Sequence, residues 1–444
     1  MSALDARELR ATIAEQLAGG SPANRSDPRS FARHLAEAVL DERAREAVAA
    51  GRPPSSTAED EETIEILIDM LFGLGSLQRL IEDPSVENID VNGADEVWVT
   101  YADGAKEQGP AAADSDEALI ELVRAAAGRF GLSERRFDAG EPELDLRLPD
   151  GSRLSAVMAV TRRPVVDIRR HRLANHSLGD LVDLGMFDEE LACFLAAAVR
   201  AKRNILVSGA MNSGKTTMLR ALATEISPRE RIVTIERALE LGLDHQRDRH
   251  PDCVAMEARP ANIEGVGAIG VAQLVRRSLR MNAARVIVGE VLGDEVIPML
   301  NAMSQGRSGS MATIHADSSA SVFRRLATYA IQAPERLPLE ATNLLIAGSI
   351  HLVVHLDARP VHPESELSRV GPGRILPAPL RRCVSSVREV VDADGGVVVS
   401  NELWRPRADG VAAREAPPSE ATLQALSICG YDWGPDDAAI GAAW

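Results

Sequence analysis

The chain has 444 residues, with 49 basic and 66 acidic side chains and a formal net charge of −17. A hydrophobic fraction of 45% and a charged fraction of 26% are typical of a globular protein with two or three domains. So acidic a surface repels phosphate backbones and anionic lipids, which argues against direct nucleic-acid binding.

The first 60 residues, rich in Ala, Arg, Glu and Asp, are predicted to form a helical or partly disordered arm. Leu4–Leu17 and Phe31–Val48 have the pattern of helices, with a Gly-Gly-Ser-Pro breaker at residues 19–22 between them. A Pro- and Ser-rich linker at residues 51–56 follows, so we expect the next domain to begin near residue 61.

Residues 61–175 are predicted to form an α+β domain. Helical periodicity covers Thr63–Phe72 and Asp116–Arg129. The segment Pro-Asp-Gly-Ser at residues 149–152 is a strong hairpin signal between two strands. The predicted strands are Val86–Val91, Glu96–Tyr101, Leu144–Leu148, Arg153–Ala159 and Val165–Arg169.

Residues 176–405 are predicted to form an α/β domain with a central, mostly parallel sheet, because strands and helices alternate there. The predicted strands are Asn204–Ser208, Arg231–Ile235, Arg285–Val288, Met311–Ile314 and His351–Leu356, and the predicted helices are a segment from Thr216, Val271–Arg280, Glu295–Met303 and Ala320–Ala330. Val384–Val391 and Gly396–Trp404 are predicted to form a hairpin that turns at residues 394–395. Residues 406–444 are predicted to form a C-terminal tail.

The cysteines and the hydropathy pattern indicate the compartment. Cys193, Cys253, Cys383 and Cys429 form no CxxC pair, so neither a disulfide framework nor a zinc site is predicted. Polar residues follow Met1, and no apolar run reaches the roughly 18–20 residues of a spanning helix, so we expect no signal peptide and no membrane span. We therefore expect a cytoplasmic protein that reaches a membrane only through partners.

A phosphate-binding loop is the strongest motif. Gly209-Ala-Met-Asn-Ser-Gly-Lys-Thr216 fits G-x-x-x-x-G-K-[ST] between a predicted strand and a predicted helix, the context that the motif requires. Lys215 is one of only three lysines in the chain, and it would bridge the β- and γ-phosphates of ATP while the Thr216 hydroxyl binds Mg²⁺. The predicted nucleotide-binding residues of this loop are Gly209, Asn212, Ser213, Gly214, Lys215, Thr216 and Thr217.

Further motifs across residues 61–405 carry a family resemblance. They are Asp83–Gly93, Leu148–Arg153, Thr234–Leu241, Arg259–Gly265, Val288–Val291 and Thr313–Ala316. With these motifs the chain resembles the secretion ATPase superfamily of type II and type IV secretion and Tad/type IV pilus assembly, especially its CpaF-like branch. The resemblance implies a RecA-like ATPase domain, preceded by a smaller α+β N-terminal domain that closes over the nucleotide.

The resemblance also implies roles for individual residues. Glu290 ends the Walker B strand and would position the attacking water, while His315 would sense the γ-phosphate; a Glu290 that only caps the next helix is the alternative. Thr216, Glu236 and Glu240 would serve Mg²⁺. The arginines assigned to the nucleotide, for which a solvated hairpin face is the alternative, are Arg147, Arg153 and Arg169.

Similar proteins work as hexameric rings on a polytopic inner-membrane platform protein, which implies the same partners here and a position against the inner face of the cell membrane. The sequence departs from the family pattern in four places, one of them a pair of residues, namely Met211-Asn212, Arg237, Leu292 and Arg307. Two alternatives to an ATP-hydrolysing motor remain, and the departures at Arg237, Leu292 and Arg307 favour the first of them. One is a nucleotide-binding scaffold or regulatory protein with weak turnover, and the other is a DNA-handling, conjugation-type ATPase.

Overall fold

The structure is a computed structural model. It describes residues 9, 13, 27–51, 53–131, 136–170, 176–262, 264–306, 308–360, 368–369, 374–376, 380–394 and 396–434. The chain divides into two compact units, Met1–Arg172 with Glu366–Pro377, and Leu173–Ser365 with Ala378–Trp444. No helix within the described ranges is both long enough and apolar enough to cross a membrane.

Both units contain helices and strands. In the described residues the helices are α1 (Pro28–Ala49), α2 (Thr57–Phe72), α3 (Leu77–Glu82), α4 (Asp116–Phe130), α5 (Leu178–Asp183), α6 (Glu189–Arg200), α7 (Lys215–Ala223), α8 (Val271–Ser278), α9 (Val296–Ser304), α10 (Ser321–Gln332), α11 (Leu339–Ala347) and α12 (Glu420–Ile428). The strands are β1 (Val86–Asn92), β2 (Val97–Tyr101), β3 (Lys106–Gln108), β4 (Glu143–Arg147), β5 (Arg153–Val157), β6 (Val165–Arg169), β7 (Ile205–Gly209), β8 (Ile232–Glu236), β9 (Cys253–Glu257), β10 (Arg285–Val291), β11 (Met311–His315), β12 (Leu352–Pro360), β13 (Ser368–Arg369), β14 (Arg374–Leu376), β15 (Leu380–Asp394), β16 (Val397–Pro406) and β17 (Ala412–Arg414).

The first unit is an antiparallel sheet in the order β13-β14-β3-β2-β1-β6-β5-β4. One face of the sheet is apolar and packs against α4, whose Leu119 and Val123 are buried in the same cluster as Leu154 and Ile168. The strands alternate buried and polar positions, so the opposite face carries charged side chains.

Helix α2 begins at Thr57, six residues before the predicted start at Thr63. Ser56 and Glu59 form a capping box that satisfies the first backbone N–H groups, so the helix starts in a polar turn that the apolar pattern does not mark. Of the helix predicted at residues 4–17, only Leu9 and Ile13 are described, and both side chains are buried in a cluster with α1 and α2.

The second unit is a nine-stranded sheet in the order β17-β16-β15-β12-β7-β11-β10-β8-β9. The strands from β12 to β9 are parallel, and an antiparallel extension of β15, β16 and β17 continues the sheet on the β12 side. Strands β7 and β8 are buried along their whole length because helices cover both faces. The predicted class, an α/β domain with a central, mostly parallel sheet preceded by a smaller α+β domain, is confirmed.

Residues beyond 405 add to the second unit. Strand β17 pairs with β16, and α12 packs against α6. Trp404 is fully buried, with its ring centroid 4.5 Å from that of Phe194 and 4.9 Å from that of Trp433. Aromatic contacts of this kind hold the end of the described chain against the sheet.

Strand order determines which residues lie close together at one edge of the second sheet. Because β7, β11, β10 and β8 are parallel neighbours, their carboxyl ends lie along one edge. Gly209, His315 and Glu236 end β7, β11 and β8 at this edge. Glu290 is the penultimate residue of β10. This is the position at which open α/β sheets bind ligands.

Candidate nucleotide site

The phosphate loop connects β7 to α7. A Cβ atom on Gly209 would lie 2.5 Å from the carbonyl oxygen of Leu356 and 2.5 Å from Oγ of Ser213, so only glycine fits there. Asn212 is in the left-handed conformation with φ of 60°. Asparagine tolerates this region better than other non-glycine residues, so the loop keeps its shape with Asn212 in place of the usual glycine.

The loop fits a phosphate group. The Ser213 hydroxyl is buried and has no hydrogen-bond partner within the described residues, so it is available to a ligand oxygen. Thr216 and Thr217 lie in the first turn of α7, where free backbone N–H groups and the helix dipole favour an anion.

Lys215 is buried under the loop. Its ammonium donates hydrogen bonds to the carbonyl oxygens of Ala210 (2.8 Å) and Gly209 (3.3 Å). It also lies 3.2 Å from Nδ1 of His315 on the neighbouring strand β11. The lysine is therefore held at the base of the loop by contacts that a phosphate oxygen could replace.

His315 connects Lys215 to Glu290. Its Nε2 lies 2.5 Å from Oε1 of Glu290, while Nδ1 faces the ammonium of Lys215. An ammonium can only donate, so Nδ1 accepts and the ring proton belongs on Nε2, from which it is donated to the carboxylate. One neutral tautomer thus satisfies both contacts.

Two further contacts hold the Walker B strand in place. The Thr313 hydroxyl of β11 donates to the carbonyl oxygen of Gly289, at 2.6 Å. A Cβ on Gly289 would lie 2.9 Å from Cγ of Glu236, so the side chain of Glu236 crosses the backbone there. The backbone that carries Glu290 is therefore fixed from both neighbouring strands.

Glu236 is the most perturbed acid near the site. Burial raises the pKa of Glu236 to about 7, against the lowering effect of the backbone N–H groups of Glu240 and Leu241, which donate to its Oε2 at 2.8 and 2.9 Å. Its Oε1 is buried and has no hydrogen-bond partner in the described part of the chain.

The predicted magnesium ligands, Thr216, Glu236 and Glu240, offer the oxygen donors that this hard cation prefers. Oε1 of Glu236 is a buried oxygen that a cation or its water could satisfy, so the residues fit such a group. In the described ranges, no cluster of three or more His, Cys, Asp or Glu residues is arranged to hold a metal ion by itself.

The departures from the family pattern have distinct surroundings. Arg237 is exposed and forms no ion pair with any described residue, so it turns away from the buried Glu236. Leu292 is 37% exposed, and its N–H donates to Oε1 of the buried Glu295 at 2.5 Å. Arg307, another of these departures, lies outside the residues that the structure describes.

The three predicted arginines lie on the first unit. Arg147, Arg153 and Arg169 occupy directly opposite positions on β4, β5 and β6, on the polar face of that sheet. Nη2 of Arg153 is 3.6 Å from Oδ1 of Asp145. Like charges directly opposite one another on neighbouring strands are destabilising, so this arginine row has a cost that an anionic ligand would offset.

Sequence reasoning missed two contacts at the phosphate loop. Nε of Arg382, on β15, donates to the carbonyl oxygen of Asn212 at 2.9 Å. Nδ1 of the buried His355, on β12, lies 2.9 Å from the hydroxyl of Ser208. Both partners are more than 140 residues from the loop along the chain, and no motif surrounds them.

Much of this chain is similar in sequence to known proteins. The family model described as "Type II/IV secretion system protein" matches residues 71–369. A Mycobacterium tuberculosis (strain H37Rv) protein named for conjugal transfer is 34% identical over 302 residues, which are 66% of this chain and 82% of that protein. The type IV secretion system protein PtlH of Bordetella pertussis is 30% identical over 320 residues, or 65% of this chain and 90% of that protein.

A solved structure also matches. The VirB11 ATPase from the Brucella suis type IV secretion system, in complex with sulphate, is 29% identical and covers 69% of this chain and 96% of its own, with a TM-score of 0.34.

Proposed function

The chain belongs to the type II/IV secretion system protein family, and from that premise we propose that it is an ATP-hydrolysing motor. It powers assembly of a Tad or type IV pilus, or type II/IV-like secretion, through a membrane platform partner. Its motifs favour the CpaF-like branch. The observation that carries the proposal is the contact series from Lys215 through His315 to Glu290 at the mouth of the phosphate loop.

The phosphate loop holds the substrate. Loop N–H groups and the Ser213 hydroxyl bind the β- and γ-phosphates of ATP. The Lys215 ammonium exchanges its bonds to Gly209 and Ala210 for phosphate oxygens, and this movement changes its contact with His315. His315 thereby reports phosphate occupancy to Glu290.

Glu290 acts on the attacking water. Oε1 is held by His315, and the described residues supply no hydrogen bond to Oε2, which is left to accept a proton from water. The water oxygen forms a bond to the γ-phosphorus as the bond to the bridging oxygen of ADP breaks, and the water proton passes to Glu290. The products are ADP and inorganic phosphate.

Thr216, Glu236 and Glu240 would hold Mg²⁺ beside the phosphates. When bound, the ion neutralises charge that develops on the phosphate oxygens. The chain contributes the Thr216 hydroxyl and the buried Oε1 of Glu236.

The first unit supplies the arginine row. Arg147, Arg153 and Arg169 bind the phosphate groups of a nucleotide. The unfavourable like-charge pairing along the row supports this role. The working form is a hexameric ring in the cytoplasm, bound to a polytopic inner-membrane protein.

Steady-state phosphate release with Mg-ATP tests the proposal. Wild type is compared with Lys215→Ala, Glu290→Gln and the control Lys202→Ala, a lysine paired with Glu230 at 3.1 Å and placed before β7. We expect turnover to vanish in the first two variants and to persist in the control. Wild-type release no faster than that of Lys215→Ala, also in the presence of membranes that contain the platform protein, would refute the motor.

The exposed charge reversal at Arg237 favours a second candidate, a nucleotide-binding scaffold with weak turnover. It requires tight ATP binding, turnover near background and tolerance of Glu290→Gln in secretion or pilus assays. A DNA-handling role, in line with the relative named for conjugal transfer, requires salt-dependent binding of DNA in a mobility assay.

A further inference from the structure

We propose that Arg382 is a positioning residue that holds the phosphate loop in its binding conformation and thereby allows Asn212 to stand where the family uses glycine. The inference rests on the proposed function and adds to it a residue outside every motif.

The left-handed conformation of Asn212 is the reason that support is needed. A left-handed backbone is unfavourable for a non-glycine residue because Cβ crowds the following carbonyl oxygen, although asparagine tolerates it better than most. With φ at 60°, Asn212 holds this conformation in the exposed arch of the loop, where packing against the core cannot enforce it. Another contact has to stabilise the conformation.

Arg382 makes that contact. Its Nε donates to the carbonyl oxygen of Asn212 at 2.9 Å. Its Cδ would lie 3.7 Å from a Cβ on Gly214, so the side chain reaches from the arch to the base of the loop. Arg382 thus lies beside both Asn212 and Gly214, in the segment that precedes Lys215.

The direction of this hydrogen bond explains its effect. Loop N–H groups bind an anion when they point inward, and the carbonyl group of Asn212 points instead towards Arg382. An outward carbonyl held by a charged donor cannot rotate inward, where it would repel a phosphate. Arg382 therefore favours the binding conformation without touching the nucleotide.

Strand β15 provides a matched control. Arg381 precedes Arg382 and points to the other face of the strand, where Nη1 is 3.9 Å from Oδ2 of Asp409. Arg381→Gln and Arg382→Gln therefore change the charge of the chain equally, but only the second removes a contact with the loop.

The test is a double-mutant cycle read by calorimetric titration with a non-hydrolysable ATP analogue. Arg382→Gln is expected to weaken binding about tenfold, as loss of a charge-assisted hydrogen bond implies. Arg381→Gln should stay within about twofold of wild type, and in an Asn212→Gly background the effect of Arg382→Gln should shrink to about twofold, since glycine adopts the left-handed conformation freely.

Several results would overturn the inference. One such result is that Arg382→Gln weakens binding of the analogue equally in the wild-type and Asn212→Gly backgrounds. Another is that Arg381→Gln weakens binding as much as Arg382→Gln does. Arg382→Lys, which keeps the charge but lacks Nε–H, could restore wild-type affinity, and charge alone would then explain the effect. Thermal unfolding of each variant verifies its fold. A wild-type chain that binds no analogue would overturn the proposed function as well, whereas the other results overturn only this inference.

Discussion

Nε2 of His315 lies 2.5 Å from Oε1 of Glu290, although the two residues come from different strands and are separated by a helix along the chain. The contact exists because β11 inserts between β7 and β10 in the sheet. A residue at the end of the inserted strand can therefore touch both the phosphate-loop lysine and the Walker B glutamate. This arrangement makes His315 the link between phosphate binding and the proposed base.

His315→Ala is expected to lower kcat for ATP hydrolysis about 10²-fold, with KM changed by less than about threefold. Glu290 would lose the donor that orients it, while the loop N–H groups would remain. Initial-rate kinetics with Mg-ATP measure both constants, and His245→Ala, at an exposed histidine, is the control. A variant with normal kcat and a raised KM would show that His315 only supports binding.

Thr313→Val should destabilise the second unit by about 1–2 kcal/mol, because the half-buried carbonyl group of Gly289 loses its donor without a change in side-chain volume. The same change at Thr328, whose hydroxyl bonds to Arg324 on an exposed helix face, should cost less than about 0.5 kcal/mol. Denaturant unfolding compares the two variants. Equal effects would mean that the bond to Gly289 does not hold the Walker B strand.

Gly209→Ala should abolish binding of ATP, since the added methyl group would collide with the Leu356 carbonyl and the Ser213 hydroxyl. Gly396→Ala adds the same group where no atom lies within 4 Å, so it should bind ATP normally. Calorimetric titration with a non-hydrolysable analogue separates the two variants. Near-normal affinity of Gly209→Ala would contradict the close packing at the start of the loop.

Stability should depend on pH through Glu236. Burial raises its pKa to about 7 from an ordinary value of 4.5, so between these values the folded state binds more protons than the unfolded state. The free energy of unfolding therefore falls as pH rises through this range. Glu236→Gln removes the effect, so its stability advantage over wild type should grow by about 3 kcal/mol between pH 4.5 and 7.5.

The comparison with Glu236→Gln is needed because a second buried group changes the free energy of unfolding with pH in the opposite direction to Glu236. Burial lowers the pKa of His351 to about 4, so that histidine makes the protein less stable as pH falls from 6.5. Taking the difference between wild type and Glu236→Gln at each pH cancels this contribution. A difference that does not change with pH would mean that Glu236 is ionised throughout the range.

Features that depend on neighbouring residues can be predicted from the sequence alone. The phosphate-loop spacing, the apolar strands and the helical periodicities identified an α/β domain after an α+β domain, and the structure has both. These signals are read from neighbouring residues, because backbone sterics and side-chain periodicity act over a few positions. Segments with weaker local signals, such as β9, α11 and α12, were not predicted.

Contacts between residues that are far apart in the sequence follow from the tertiary structure. The register that places Arg147, Arg153 and Arg169 in one row arises from strand pairing. The hydrogen bond from Arg382 to Asn212 joins residues 170 positions apart. The physical reason is that strand order and register follow from the burial of whole faces against one another, a long-range free energy that no local pattern contains.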